Sequence, residues 1–237
     1  MSIARHAGTV PGPKVVSPET LIEAIRAFGI IPFFENPIPG YSVEELTPAA
    51  YWFDGEEDSL GPWDWKIDAV QSGDIAYGKF LWGGKAAFAT LGWYRELLNW
   101  RRSLPKYKPD AKGRKILKYL DEHGSVGIKE IRLLFGIKKN AADSLVRKLQ
   151  MQTRLVTGDI QRIYRGPDLH YNGWQTSSFC TPEDLFETEG ESFGPFQTEG
   201  FSLKVHHSPA ESLRRLTEHI KEIAPSASDE AILKMLA

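Results

Sequence analysis

Only one cysteine, Cys180, stands among the 237 residues. An intrachain disulfide is therefore excluded, and so is a zinc site built on paired thiolates. Long apolar runs are also missing. No stretch reaches the roughly 18 residues that a membrane-spanning helix requires, so no membrane partner is expected. The opening MSIARHAGTVPGPKVV lacks the apolar core of a secretory signal, and with so little cysteine a reducing, cytoplasmic setting is the expected location. A phosphate loop is absent too. Trp82-Gly83-Gly84-Lys85 is followed by alanine rather than the Ser or Thr that such a loop needs, and reads as a hairpin turn. The acidic Glu56-Glu57-Asp58 lacks calcium-loop spacing. His206 and His207 are adjacent, so in a strand they would face opposite ways. No metal and no cofactor are expected, and Cys180 reads as a buried structural thiol.

What is present is ordinary in bulk and uneven in distribution. Composition is 41% hydrophobic and 25% charged, as in a globular protein, with a formal net charge of −2. That small total conceals two opposed blocks. Between Arg101 and Arg165 stand 17 lysines and arginines against 6 carboxylates, whereas the rest of the chain carries 12 against 25. A block of one sign marks either a docking face for an anionic partner or a surface that meets the acidic half of the same chain.

The basic block coincides with a helix pattern. Ile116, Leu117 and Leu120 line one face of a helix stopped at Gly124. Ile128, Ile131, Leu134 and Phe135 line a second, stopped at Gly136, and Ala142, Leu145, Val146 and Leu149 mark a third. Leu155, Val156 and Thr157, a Gly158-Asp159 turn signal, and Ile160, Ile163 and Tyr164 then read as two strands. Three helices followed by a two-stranded wing is the order of a winged helix-turn-helix, whose third helix commonly faces a DNA groove.

Elsewhere the chain divides by its punctuation. Residues 1–16 are expected to be disordered or loosely attached. Residues 17–102 read as a helix, begun by Ser17-Pro18 and ended at Gly29, then an apolar run Ile30–Phe34 and a Trp-rich antiparallel β-meander at 64–71, 75–82 and 85–90 with flanking helices. Six of the seven tryptophans lie between Trp52 and Trp100 and are expected to be core rather than a base-stacking platform, because few basic residues interleave with them. Residues 103–113, SLPKYKPDAKG, read as a linker, 114–180 as the winged-helix domain, and 181–237 as C-terminal helices packed on the core, with an acidic mobile loop at 187–200. The expected class is α+β.

Chemistry is concentrated at the end of the third helix, where Gln150-Met151-Gln152 meets the first wing strand. Amides can hold a water or read a base edge but are not themselves bases. The segment LQMQT resembles the glutamine motif of the AlkZ-like winged-helix DNA glycosylases, in which two polar residues flank an apolar one. GPWDWK, AYGKFLWGGKAAFAT, YNGW and TPEDLF extend the resemblance to bacterial AlkZ-related proteins over most of residues 40–237. The resemblance implies removal of alkylated purines by a water held at Gln150 and Gln152. Two departures stand beside it. The second polar position holds an amide where an Asp would add a charge, and one winged helix is discernible where the active enzymes carry several. The readings carried forward are a winged-helix protein binding duplex DNA, an active glycosylase, and a protein-interaction module. For DNA contact, the candidates are Lys138, Lys139 and Asn140 at the start of the third helix, Arg147, Lys148 and Arg154 along or just after it, and Arg162 and Arg165 on the wing.

Overall fold

Ser17 has the extended backbone of a cap, and its hydroxyl accepts from Thr20 N ahead of α1 (Pro18–Phe28). Leu21, Ala24, Ile25 and Phe28 form the buried stripe of that helix, and Gly29 closes it at positive φ. β1 (Ile30–Pro32) follows, buried throughout. Next come the single turns α2 (Val43–Leu46) and α3 (Ala50–Phe53), α4 (Pro62–Gln71), the hairpin β2 (Ile75–Leu81) and β3 (Lys85–Thr90), and α5 (Leu91–Ser103). The computed structural model describes residues 12–53, 60–187 and 201–237. Within them the protein is α+β, with eleven α-helices and two three-stranded antiparallel sheets.

The first sheet corrects the expected meander. Residues 64–71 are helical, and the third strand is β1, giving the order β1-β3-β2. The alternation W-D-W-K-I-D imitates a half-buried strand. Pro62 at the first helical turn starts a helix instead, and burial of Trp65, Lys66, Ile67, Ala69 and Val70 spreads around most of its circumference, which masks helical periodicity. The sheet is therefore not Trp-rich. Its bulk is Tyr77, Phe80 and Phe88, with Phe88 opposite both Ile31 and Tyr77. Trp63 and Trp65 lie on α4, and Trp93 and Trp100 on α5.

Beyond α5 comes a 3-10 turn, Pro105–Tyr107, and then α6 (Ala111–His123), β4 (Val126–Gly127), α7 (Ile128–Phe135), α8 (Lys139–Met151), β5 (Val156–Arg165) and β6 (His170–Cys180). Gly124 and Gly136 end α6 and α7 at positive φ, as their positions foretold. The second sheet has the order β4-β6-β5. Its hairpin turn does not lie at Gly158-Asp159. β5 runs through these residues with a register shift, and the reversal comes after Arg165. Gly158 serves close approach here, since a Cβ there would lie 2.8 Å from Cys180 Sγ. Ile116, Leu120, Ile131, Val146, Leu149 and Leu155 belong to a core of their own, while Val156, Ile160 and Cys180 join the larger core of the first sheet. The segment expected as a linker is packed, for Tyr107 is buried and Asp110 Oδ1 caps α6 by accepting from Gly113 N at 2.9 Å.

α9 (Pro182–Phe186), α10 (Pro209–Ile223) and α11 (Asp229–Leu236) complete the chain, with α10 lying along α5. Val15, placed by the sequence with a loose N-terminus, is fully buried, and its N–H donates to Leu46 O at 3.1 Å. Residues 1–11, the acidic loop at 54–58 and the stretch 188–200 lie outside the described residues. No helix among the described residues is long and apolar enough to cross a membrane.

Candidate nucleic-acid interface

α8 divides cleanly by face. Ala142, Leu145, Val146, Leu149 and Gln150 are buried, which leaves Lys139, Asn140, Ser144, Arg147 and Lys148 exposed in a stripe along the helix, with Lys138 exposed at its N-cap. Two of these cations have carboxylate neighbours. Lys139 Nζ lies 2.8 Å from Asp143, and Lys148 Nζ 2.8 Å from Asp110, with the lysine side chains 68% and 50% exposed. Screening by solvent makes such pairs weak, so both lysines can turn to another anion. The Lys148 ammonium and the Gly113 N–H hold the Asp110 carboxyl down at about 2.

The two glutamines at the end of this helix do not converge. Successive residues turn by about 100°, so side chains two apart diverge by about 200° unless the backbone becomes extended between them. It does not: Met151 is helical and Gln152 has φ −82 and ψ 2. Gln150 accordingly enters the core. Its Oε1 accepts from Lys79 N at 3.0 Å and its Nε2 donates to Thr157 Oγ1 at 3.3 Å. Gln152 points the other way, where its Nε2 donates to Lys108 O at 3.2 Å. That bond fixes which end of the amide is which, because only the NH2 can donate to a carbonyl. The remaining Gln152 Oε1 is buried and has no hydrogen-bond partner among the described residues.

Two arginines of α5 hold the backbone between the glutamines and β5. Arg101, fully buried, donates through Nη1 to Met151 O at 2.9 Å and through Nη2 to Leu236 O. It pairs with no carboxylate among the described residues, and burial pushes it down to about 10. Arg102 donates to Thr153 O at 2.6 Å and pairs with Glu183. Thr153, at φ 53, reverses the chain out of α8 into β5.

In front of these groups opens a cleft of about 380 Å³. Lys106, Arg147 and Lys148 supply its cations, while Tyr107, Met151 and Gly83 form the less polar walls. Gln152 and Ser144 supply the neutral polar groups, and no carboxylate among the described residues lines it. Gly84 lets the Arg147 stem lie against the β2–β3 turn, where an added Cβ would stand 2.8 Å from Arg147 Cδ. Lys85 and Lys234 lie within 5.8 and 5.4 Å of the Trp82 ring centroid on the same turn.

The two arginines of β5 separate. Arg165 is exposed at the hairpin tip, with its guanidinium 5.1 Å from the ring centroid of the exposed Trp174. Arg162 is turned inward, 3.7 Å from Asp68 with 26% side-chain exposure, and beside Tyr171. Tyr171 and Gln175 both bond Asp64, so the outer half of the hairpin is fastened to α4. Arg154 is partly buried beside Arg102 and Glu183, and burial lowers its pKa. The structure thus gathers Gln152, Arg147 and Lys148 at one cleft. Lys138, Lys139 and Asn140 share the α8 surface with it, while Gln150, Arg154 and Arg162 are held elsewhere.

Sequence reasoning missed Arg101, Arg102, Lys106 and Tyr107. A signal for the last two was present in Pro105-Lys106-Tyr107-Lys108-Pro109, an aromatic between two lysines, hidden by reading the stretch as a linker. His207 bonds the buried Glu96 at 2.7 Å and Ser212 at 3.1 Å.

Neither the curated proteins nor the solved structures contain a match to this chain. The model of the family described as AlkZ related matches residues 15–237, nearly the whole chain and every element described above. The chain belongs to the AlkZ-related family.

Proposed function

We propose that residues 114–180 act as a winged-helix unit and that the protein binds duplex DNA through the exposed stripe of α8. The observation that carries this reading is one of charge placement. Four cations of the basic block, Lys138, Lys139, Arg147 and Lys148, are exposed on one helix face, and that face leads into a cleft lined by no carboxylate among the described residues. Relationship to DNA repair glycosylases, through the AlkZ-related family, supports the same partner and a role in DNA repair. Lys138, Lys139, Arg147 and Lys148 meet phosphates in this reading, Asn140 lies at the groove, and Arg165 touches the backbone from the wing tip.

Four phosphate contacts give a slope of log K against log salt of about −3.6, a loss of about 10²-fold in affinity between 50 and 200 mM salt. The test is an electrophoretic shift on a random-sequence duplex across that range, with wild type and the variant carrying Lys138→Ala, Lys139→Ala, Arg147→Ala and Lys148→Ala. Loss of the shift and a flattened slope are expected. An unchanged shift at low salt overturns the reading.

A second reading, hydrolysis of the N-glycosidic bond of an alkylated purine, is favoured by Gln152, which lines the cleft and whose buried Oε1 has no hydrogen-bond partner among the described residues. Here Gln152 holds the attacking water, and Gln150, locked between Lys79 and Thr157, positions the helix end. It requires release of N7-alkylated base from duplex DNA by wild type, lost in Gln152→Ala with binding retained. Failure of the wild type to release any of several such bases counts against it.

A further inference from the structure

We infer that the β2–β3 turn is a second phosphate-contact element, lying outside the winged-helix unit, that grips the duplex through Lys85 and Lys234. The inference rests on duplex DNA as the partner and uses none of the chemistry considered for Gln152.

The turn begins with strained backbone. Trp82, Gly83 and Gly84 stand at φ 46, 67 and 84 in succession. Glycine enters that region freely, whereas a bulky residue does so only where its surroundings hold it. Trp82 N donates to Met235 O at 2.8 Å and Gly83 N to Ala237 O at 3.3 Å, so the end of α11 braces the turn from one side. Against the turn also lies α8, whose Arg147 stem occupies the space that a Cβ on Gly84 would need. A tip gripped between two helices holds its side chains at fixed positions, and strain kept in this way clusters at sites of contact.

What the tip presents is positive charge around a ring. The Trp82 indole packs in part against the core and is otherwise open to solvent. Lys85 and Lys234, both exposed, hold their ammonium groups 5.8 and 5.4 Å from its centroid. Among the described residues no ion pair involves either lysine. Two cations drawn to one ring repel each other, and an anion that meets both offsets that repulsion. The lysines come from β3 and α11, elements distant in sequence, so their convergence is no by-product of the pattern of a single helix.

A polyanion suits this charge better than a small ion. From Lys138 to Arg147 α8 rises about 14 Å, and the turn adjoins Arg147. Cations from two parts of the fold therefore meet at the C-terminal half of α8. A nucleic-acid backbone, with phosphates repeated at short intervals along each strand, can engage such a series one after another.

The test is the electrophoretic shift of the full chain on a random-sequence duplex between about 50 and 200 mM salt. Each phosphate contact adds about −0.9 to the slope of log K against log salt, so two more steepen the four-contact value of about −3.6 to about −5.4. The protein carrying Lys85→Ala and Lys234→Ala is expected to return to about −3.6, losing about 12-fold less affinity than wild type across that range. Lys85→Arg with Lys234→Arg keeps both charges and the wild-type slope. Arg26→Ala removes a cation paired with Asp74 at the opposite end of β2, roughly 20 Å away, and leaves the slope unchanged. These positions are exposed, so every variant should keep the wild-type Tm.

A slope unchanged by Lys85→Ala with Lys234→Ala overturns the proposal, as does an equal change in Arg26→Ala. Polyglutamate binding that needs the two lysines, beside a duplex slope that does not, assigns the turn to an acidic protein and overturns it too. The two readings fail separately. A duplex shift that survives loss of the four α8 cations but not of Lys85 and Lys234 refutes the α8 assignment alone. The reverse pattern refutes the turn alone, and no shift by wild type overturns both.

Discussion

Gly78, on β2, lies against the amide of Gln150, and replacing it with alanine measures how firmly that amide is built into the core. An added Cβ would stand 2.9 Å from Gln150 Nε2, 3.2 Å from its Cδ and 3.3 Å from Phe80 Cδ1. Backbone conformation is no obstacle, since Gly78 is not among the residues at positive φ. Gly→Ala at a compatible site therefore ought to stabilise by about 0.4–1 kcal/mol through the unfolded chain. Crowding wins here. Overpacking in a filled core costs about 1–3 kcal/mol, and displacing Gln150 breaks its bond from Lys79 N, worth a further 0.5–1.5 kcal/mol or so. The net expectation is a loss of about 1–3 kcal/mol. At this chain length that corresponds to a fall in Tm of about 2–12 °C, read by calorimetry and by the urea midpoint. Gln150→Ala makes room for the new methyl, so the double variant should cost at least about 1 kcal/mol less than the two single changes together. A Gly78→Ala protein as stable as wild type, or strictly additive costs, would refute the packed position of Gln150 and restore it as a free amide at the helix end.

Two further expectations concern buried ionisable groups. Lys66 is 4% exposed, its Nζ donates to Trp63 O at 2.6 Å and lies 3.6 Å from the Trp63 ring centroid, and burial pushes its pKa down to about 7. Between about pH 7 and its ordinary 10.5 the unfolded chain holds a proton that the folded chain has released, so stability should rise with pH across that window. The urea midpoint of wild type should increase from pH 7 to 10, and that of Lys66→Met should increase less; parallel profiles refute the buried amine. Cys180, buried against Gly158, has its thiol pushed up to about 12 by burial. A disulfide reagent at pH 8 should modify it only as fast as the protein opens, and rapid native-state labelling would show the thiol to be accessible.

How far the sequence disclosed this structure depends on how many faces of each element are buried. α1, α6, α7 and α8 each hide one stripe, and their capping residues Ser17, Gly124 and Gly136 are local signals, so these helices were legible in place and length. α4 was not, because six of its ten residues, Lys66 among them, are buried, and so broad a buried face leaves little period to read. The hairpin failed for a related reason. Gly158 marks contact with a neighbouring sulfur, and nothing in its sequence distinguishes that use of glycine from a turn. The basic stripe on α8 was legible as charge on a helical face. The inward turn of Arg162 and Arg154 was not, since Asp68 and Glu183 come from elements far away in the chain.

The glutamine motif shows where reading by spacing stops. Gln150 and Gln152 are one residue apart, and in sequence they form a single unit with a single meaning. Whether two such amides act together depends on the backbone torsion of the residue between them. Helix persists through Met151, so the amides part: one is satisfied twice in the core, the other half satisfied beside the cleft. Arg101 strengthens the division by donating to Met151 O, which holds the intervening peptide where it is. A motif that would hold a water between two amides here consists of one structural amide and one with an acceptor to spare. Any chemistry at this helix end must therefore run through Gln152, with Gln150 acting on it only through the fold.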